Sequence, residues 1–177
     1  AGGCIAMTLR LASFGVRGFV GQSLTPRVVM DFSCAFGTFV EGGRVLLGRD
    51  TRYSSPMIHA AVTSSLLSCG CEVLDFGVCP TPLLQYSVKA QGASGAVSIS
   101  GGHNGMGWNA LTLIGADGAF LEPSGGETVL DVFHAGDFLK RAPARLGMVR
   151  PMVDFFEPYL ERLLQQVNGA AIRQAGF

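Results

Sequence analysis

The sequence predicts an α/β fold in three layers, α/β/α, with helices on both faces of a mixed, mostly parallel sheet. Two observations carry that expectation. Short apolar runs alternate with longer segments that open on Thr-Pro or Ser-Pro, and the 25 glycines gather between these segments rather than at a fixed interval. Strand–helix–strand alternation with crossovers of this length gives parallel pairing. Open sheets of this kind take ligands beyond the carboxyl ends of their strands.

The elements follow in order. Thr25-Pro26 opens a helix predicted over 26–41, because threonine caps free amides and proline is pre-set for the first helical position. Gly42-Gly43 ends it, and Arg44 to Gly48 reads as a buried strand followed by the polar stretch Arg49 to Ser54. Ser55-Pro56 repeats the cap before a helix over 56–69; Gly70 closes it, and Cys71 to Phe76 is the next strand. Thr81-Pro82 opens a third helix to 91, and Gly95 to Ser100 forms a strand whose exit is the glycine-rich loop 101–107. Ala110 to Ile114 is a further strand, with Asp117-Gly118 as a hairpin turn before Ala119 to Leu121. Gly125-Gly126 introduces a helix over 126–134.

Segment 136–151, with Pro143 and Pro151, reads as a loose connection to an amphipathic helix over 152–167. That helix carries Val153, Phe156, Leu160, Leu163 and Leu164, which need a surface to cover. Gly169 to Phe177 ends without a terminating element. The expected organisation is a domain core over 1–135 and a linker with C-terminal helix over 136–177, leading toward a second domain that the chain does not contain.

A chain of 177 residues with 48% hydrophobic content has room for one ordinary core. Lys+Arg and Asp+Glu are equal at 13 each, which removes the electrostatic footprint of a nucleic-acid binder or a polybasic membrane-surface protein. No apolar run approaches the roughly 18 residues of a membrane span, and the opening Ala1 to Arg10 does not fit a signal peptide. The expectation is a soluble, cytoplasmic protein with a small-molecule or protein partner. Cys4, Cys34, Cys69, Cys71 and Cys79 form no CxxC and sit in apolar segments, so they read as buried, reduced thiols rather than zinc ligands or disulfides.

Four stretches in register, over roughly residues 11–122, resemble the α-D-phosphohexomutases, the phosphoglucomutase/phosphomannomutase family. Ser13-Phe14-Gly15-Val16-Arg17-Gly18 is similar to that family's T-[SD]-G-I-R-G, and Leu24-Thr25-Pro26 stands where its first helix begins. Gly48-Arg49-Asp50-Thr51-Arg52-Tyr53-Ser54-Ser55 is similar to G-R-D-x-R-x-S-S, and Gly77 to Pro82 matches G-x-x-P-T-P. Ser100-Gly101-Gly102-His103-Asn104 aligns with the phosphoserine loop T-A-S-H-N, with Trp108-Asn109 at the Y/W-N that follows. Each motif alone is weak, whereas four in order are strong.

The resemblance implies the family's domain I fold and its chemistry, an intramolecular phosphotransfer on hexose phosphates in carbohydrate metabolism. A serine passes its phosphoryl group to a sugar phosphate, the bisphosphate reorients, and the serine takes back the other phosphoryl group. Such transfer needs an oxygen nucleophile, a divalent cation and cationic groups around the phosphate. The alignment puts Gly102 at the serine position, so the nucleophile is missing. Gly105 replaces a proline, Gly107 a frequent acidic residue, and Thr112 a phosphate-directed lysine. Ser98 and Ser100 are nearby hydroxyls, but displacement by residues spoils in-line geometry.

The candidate catalytic positions are therefore Gly102, His103 and Arg17, and the candidate phosphate-binding residues are Ser100, Asn104, Arg49, Arg52 and Asn109. Arg17, Arg49 and Arg52 offer forked donors to phosphate, and backbone amides of 100–105 form a possible anion nest. Asp50 is expected to hold an arginine in place, while His103 weighs as a hydrogen-bonding strut against a proton carrier. His59 and His134 read as solvated or capping groups on helices. The chain has no D-x-D-x-D and no metal ligands of its own; the family implies Mg2+ and a hexose bisphosphate activator at the full-length enzyme. The implied partners are a hexose phosphate and either domains II–IV or a second copy. The alternative is a non-catalytic phosphosugar-binding or assembly module with the same fold.

Overall fold

The computed structural model describes residues 9–176. Cys4 and the opening stretch weighed against a signal peptide lie outside them. The strands are β1 (Arg10–Ala12), β2 (Gly15–Phe19), β3 (Arg44–Arg49), β4 (Glu72–Val78), β5 (Gly95–Ile99), β6 (Trp108–Gly115) and β7 (Met148–Pro151). They form one sheet in the order β1-β2-β6-β5-β3-β4-β7. β5, β3, β4 and β7 pair in parallel, while β6 runs antiparallel to both β5 and β2, and β1 antiparallel to β2. Thus β2, β3, β4, β5 and β7 share one direction, which makes the sheet mixed and mostly parallel as expected.

Among the described residues there are six α-helices: α1 (Pro26–Phe39), α2 (Ser55–Ser68), α3 (Thr81–Ala90), α4 (Pro123–Ala135), α5 (Phe156–Leu164) and α6 (Gly169–Ala175). On one face α1 packs between α2 and α4, burying Phe32, Phe36, Ile58, Val62 and Leu66 against Val45, Leu47 and Val97. On the other face α3 buries Leu83, Leu84 and Val88 against Leu46, Leu74 and Ile114. Each fully buried side chain of this kind contributes roughly 1.5–3 kcal/mol. The three layers are thus held by two separate apolar interfaces.

Several local expectations change. Thr25 caps α1 as predicted, its hydroxyl accepting from Val28 N at 3.3 Å. Ser55 does not cap α2: it lies inside the helix, fully buried, and its hydroxyl donates to Asp50 instead. Thr81 likewise belongs to α3, which follows Pro80, and its hydroxyl bonds Ser98 Oγ at 2.7 Å. α4 starts at Pro123, three residues before the predicted start; Gly126 is the point where the helix runs against the Ser13 backbone, too close for a side chain. Gly136, at φ 68°, ends α4 in the left-handed conformation.

Segment 136–151 is more ordered than a loose connection, because Met148–Pro151 adds β7 in parallel to β4. Every β7 residue is exposed, so no burial alternation marks it in the sequence. Pro151 ends this edge strand, as proline does where no further ladder is needed. The single helix expected over 152–167 is shorter, and a separate α6 follows, capped by Asn168 through a hydrogen bond from Ala171 N at 3.1 Å. β1 and β2 have no counterpart in the sequence expectations, since Ser13 to Gly18 reads there as a loop motif. No described helix is long and apolar enough to cross a membrane.

Candidate functional site

The shared strand direction brings the exits of β2, β3, β4 and β5 to one end of the sheet, together with the entry to β6. Loop 49–54 and loop 100–107 therefore lie side by side. Arg52 ties them together: Nε donates to Asp50 Oδ2 at 3.1 Å, Nη1 to the carbonyls of Gly105 (2.8 Å) and Trp108 (3.2 Å), and Nη2 to those of Gly102 (2.9 Å) and Asn104 (2.7 Å). All five guanidinium N–H groups are committed. The expectation that Arg52 presents a fork to phosphate is thus corrected: it is the hub on which the glycine-rich loop is wound.

Asp50 works from the other side, accepting from the backbone amides of Arg52 (3.1 Å) and Gly101 (3.2 Å) and from the Ser55 hydroxyl. Burial pushes its carboxyl pKa up, but the Ser55 hydroxyl and these two amides more than offset that, and the net direction is downward. Asn109 is also structural. It is fully buried, with Nδ2 donating to Ser54 Oγ at 2.9 Å and Ser55 Oγ at 3.0 Å, and Oδ1 accepting from Ala110 N at 2.9 Å. Its amide has no face left for a ligand.

A cleft of roughly 490 Å³ opens on the sheet surface that α3 leaves bare, lined by Arg17, Ser100, Gly102, His103 and Asn104, with Thr112 on its floor. Arg17 on β2 pairs with Ala110 of β6, so it stands on the same sheet face as Gly15 and Thr112. Among the described residues Arg17 has no ion-pair or hydrogen-bond partner, and it is the cation of this cleft. His103 is exposed and likewise has no hydrogen-bonding partner among the described residues, so a strut role has no support. Arg49 does not line the cleft; its Nη1 donates to its neighbour's carbonyl, Asp50 O, at 3.3 Å.

The loop's own donors are largely used. The amide of Ser100 bonds Ala110 O (3.1 Å), that of Gly102 bonds Ser100 Oγ (3.2 Å), and that of Asn104 bonds Gly101 O (3.1 Å). Asn104 Nδ2 also turns back to Gly101 O at 2.7 Å. The anion nest expected over 100–105 therefore shrinks to the amides of His103 and Gly105. Gly102 has φ 54°, and a Cβ built there meets nothing within 4 Å. Ser98 is excluded as a substitute hydroxyl, being 3% exposed and bonded to Thr81.

Two features escaped the sequence reading. Phe14 and Phe120, stacked at 5.9 Å between centroids, form the apolar rim of the cleft; nothing in the spacing of two residues so far apart announces that contact. His59 is not a solvated or capping group, since Nε2 bonds Asp75 Oδ1 at 2.9 Å. Burial raises the Asp75 carboxyl, but His59 and the Gly77 amide outweigh it and hold its pKa down. This pair braces the irregular end of β4 around Gly77.

A three-layer arrangement of helices on a mixed sheet, with loops converging beside an arginine-bearing cleft, defines an α/β/α domain. Residues 11–140 match the phosphoglucomutase/phosphomannomutase alpha/beta/alpha domain I, and the chain belongs to that family. It is 34% identical to a phosphoglucomutase/phosphomannomutase of Thermococcus kodakarensis over 92% of its own length and 36% of that relative's. It is 39% identical to a phosphoglucosamine/phosphogalactosamine mutase of Sulfurisphaera tokodaii over 70% of its length and 28% of the relative's. A solved phosphoglucomutase/phosphomannomutase family protein from Burkholderia thailandensis superposes with a TM-score of 0.74 at 21% identity, covering 90% of this chain and 37% of that one. The chain thus spans about a third of the length of these relatives.

Proposed function

We propose that this chain is the phosphoserine-loop domain of a hexose-phosphate mutase that keeps one wall of the substrate cleft and lacks the nucleophile, so that alone it does not turn over. The observation that carries the reading is Gly102: the loop position aligned with the family's serine faces open space above the cleft and bears no oxygen. Phosphoryl transfer to and from sugar requires an attacking oxygen at that point. Arg17 contributes the phosphate contact, worth about 1.5–3 kcal/mol for a charge-assisted hydrogen bond. With the free amides of His103 and Gly105 adding roughly 1 kcal/mol each, the wall is expected to hold a hexose phosphate weakly, with Kd on the order of millimolar.

The residues present do not fit a Mg2+ site. Asp50 is engaged by Arg52 and Ser55, and no group of three or more His, Cys, Asp or Glu side chains suited to a metal occurs among the described residues. The reading assigns the metal, and the bisphosphate activator that works with it, to the part of the longer relatives that this chain does not span. Domains II–IV or a second copy would supply the other cleft walls. A cytoplasmic setting accords with the free thiols Cys34, Cys69, Cys71 and Cys79 among the described residues.

The test is complementation. Gly102→Ser mixed with separately folded domains II–IV of a relative is expected to regain mutase activity while the glycine chain stays silent; silence of both with all parts folded overturns the reading. A second reading, a non-catalytic phosphosugar-binding module, is favoured by Arg17, the cleft cation left without a partner among the described residues. Isothermal titration with glucose 1,6-bisphosphate separates the two from a purely structural role: millimolar binding that falls at least tenfold in Arg17→Ala supports a retained site, and no heat at millimolar ligand removes it.

A further inference from the structure

A second cleft lies between α1, the end of α2 and segment 138–146. It has a volume of roughly 330 Å³ and is walled by Cys34, Ser68, Phe138, Leu139, Lys140 and Arg141. Cys34 is partly exposed there, whereas Cys69 and Cys71 behind it are buried. Its sulfur reaches the Ser65 carbonyl and the Ser68 hydroxyl, each at 3.9 Å, and that hydroxyl is 4.0 Å from Cys69 Sγ. Cys69 Sγ in turn lies 3.6 Å from the Cys34 carbonyl, and the Ser68 hydroxyl stands between the two sulfurs, within 4.0 Å of each. One thiol thus opens to solvent while its neighbour is sealed beneath it.

The surroundings divide the two chemically. The neighbouring Cys69, opposed by burial and assisted by Ser68 and Ser65, holds the Cys34 thiol below its ordinary value, while Asp31 on the same helix works weakly against it. Cys69 is pushed up by the adjacent Cys34 and by burial. Burial pushes Cys71 and Cys79 up to about 12, with the Arg141 charge working against it at Cys71 and Asp75 adding to it at Cys79. Lys140 and Arg141 bring positive charge to the cleft wall, although Arg141 also donates to the Cys69 and Glu41 carbonyls at 3.3 and 3.1 Å. Nucleophilic cysteines occupy such partly exposed, electropositive places, and buried structural ones do not.

We propose that Cys34 and Cys69 form a peroxide-reactive dithiol, with Cys34 as the attacking sulfur and Cys69 as the resolving one. The Cys34 thiolate attacks one oxygen of hydrogen peroxide; the O–O bond breaks, hydroxide leaves and takes up a proton as water, and Cys34 becomes a sulfenic acid. Cys69 sulfur then attacks the Cys34 sulfur. The S–O bond breaks, the departing hydroxyl takes the Cys69 proton as a second water, and a disulfide joins α1 to the end of α2. Two thiols lose two electrons and one peroxide gains them. Thiol reductants reverse the step, as is usual for redox-sensing disulfides in a reducing compartment.

The experiment is a labelling race on the intact chain followed by peptide mass spectrometry. At pH 7 Cys34 is expected to take up iodoacetamide at least tenfold faster than Cys79, with a midpoint below the ~8.5 of a free cysteine. Micromolar hydrogen peroxide is expected to give a linked Cys34–Cys69 peptide two hydrogens lighter, and in Cys69→Ala a dimedone adduct at Cys34. Equal labelling of Cys34 and Cys79, or a peroxide product linking Cys34 to Cys71, overturns the proposal. The race and the linked peptide need no variant, so they decide the matter even if Cys69→Ala fails to fold.

Discussion

The loops at the carboxyl end of the sheet and the two C-terminal helices are held in opposite ways. Loop 100–107 buries little apolar surface, yet its carbonyls converge on one guanidinium, and Asp50 and Asn109 close the remaining gaps. The segment after β7 makes few polar bonds to the rest and rests on aromatic contacts, Phe155 on Phe76 at 4.6 Å and Tyr159 on Tyr86 at 5.7 Å between centroids. Beyond these, Val153, Leu163, Leu164 and Ile172 stand 44–76% exposed. The difference teaches that polar motif residues in this chain serve first to hold backbone, while the apolar pattern of α5 mostly faces outward.

The sharpest test of that contrast is Arg52→Ala. It strips the loop carbonyls of their donors and leaves Asp50 without its cation, at a cost of about 3 kcal/mol, the lower end for breaking a partly buried pair. Urea denaturation measures it, and a loss below about 1 kcal/mol would break the comparison. Asn109→Ala comes next, at about 2 kcal/mol, because Ser54, Ser55 and the Ala110 amide lose a buried partner.

Acid sharpens the contrast further. The folded Asp50 carboxyl lies below its unfolded value, so its contribution is fully present above that value and lost as pH falls through the folded one. Asp50→Asn is therefore expected to flatten the decline in stability below about pH 4, and an unchanged acid profile would count against the loop's dependence on that carboxylate. The smallest effect belongs to deletion of residues 168–177. Every described residue of α6 is exposed or nearly so, and removal is expected to change stability by less than about 0.5 kcal/mol. A deletion as costly as Arg52→Ala would reverse the ranking of the two regions.

The central strands, their helices and the hairpin at Asp117-Gly118 were legible because burial gives a parallel strand an apolar run and a helix a period. Gly115 N accepts its place in that hairpin by donating to Ala119 O at 2.9 Å, as a tight turn requires. β1, β2 and β7 were not legible: the first is only three residues long, the second carries Gly15 and Gly18, and the last is exposed throughout. The motifs located the site but not the division of labour within it. Arg17, Arg49 and Arg52 look alike as residues in glycine-rich polar stretches; only the fold shows that one faces the cleft, one lies outside it and one is enclosed by carbonyls. Ser55 and Thr81 carried the same cap signature as Thr25, yet a nearby carboxylate and a nearby hydroxyl outcompeted the helix ends for them.

The antiparallel seat of β6 between β2 and β5 bears on how the chain comes off the ribosome. β2 is made early, but its ladder partner Trp108–Gly115 follows only after α1, α2, α3 and three further strands. At about 5–20 residues per second of synthesis, Arg17 and its neighbours wait on the order of 5–20 s as an unpaired edge. The cleft wall therefore zips shut only after β6 has emerged, with β7 still to come, and an amino-terminal piece released before β6 would expose that edge to its own copies.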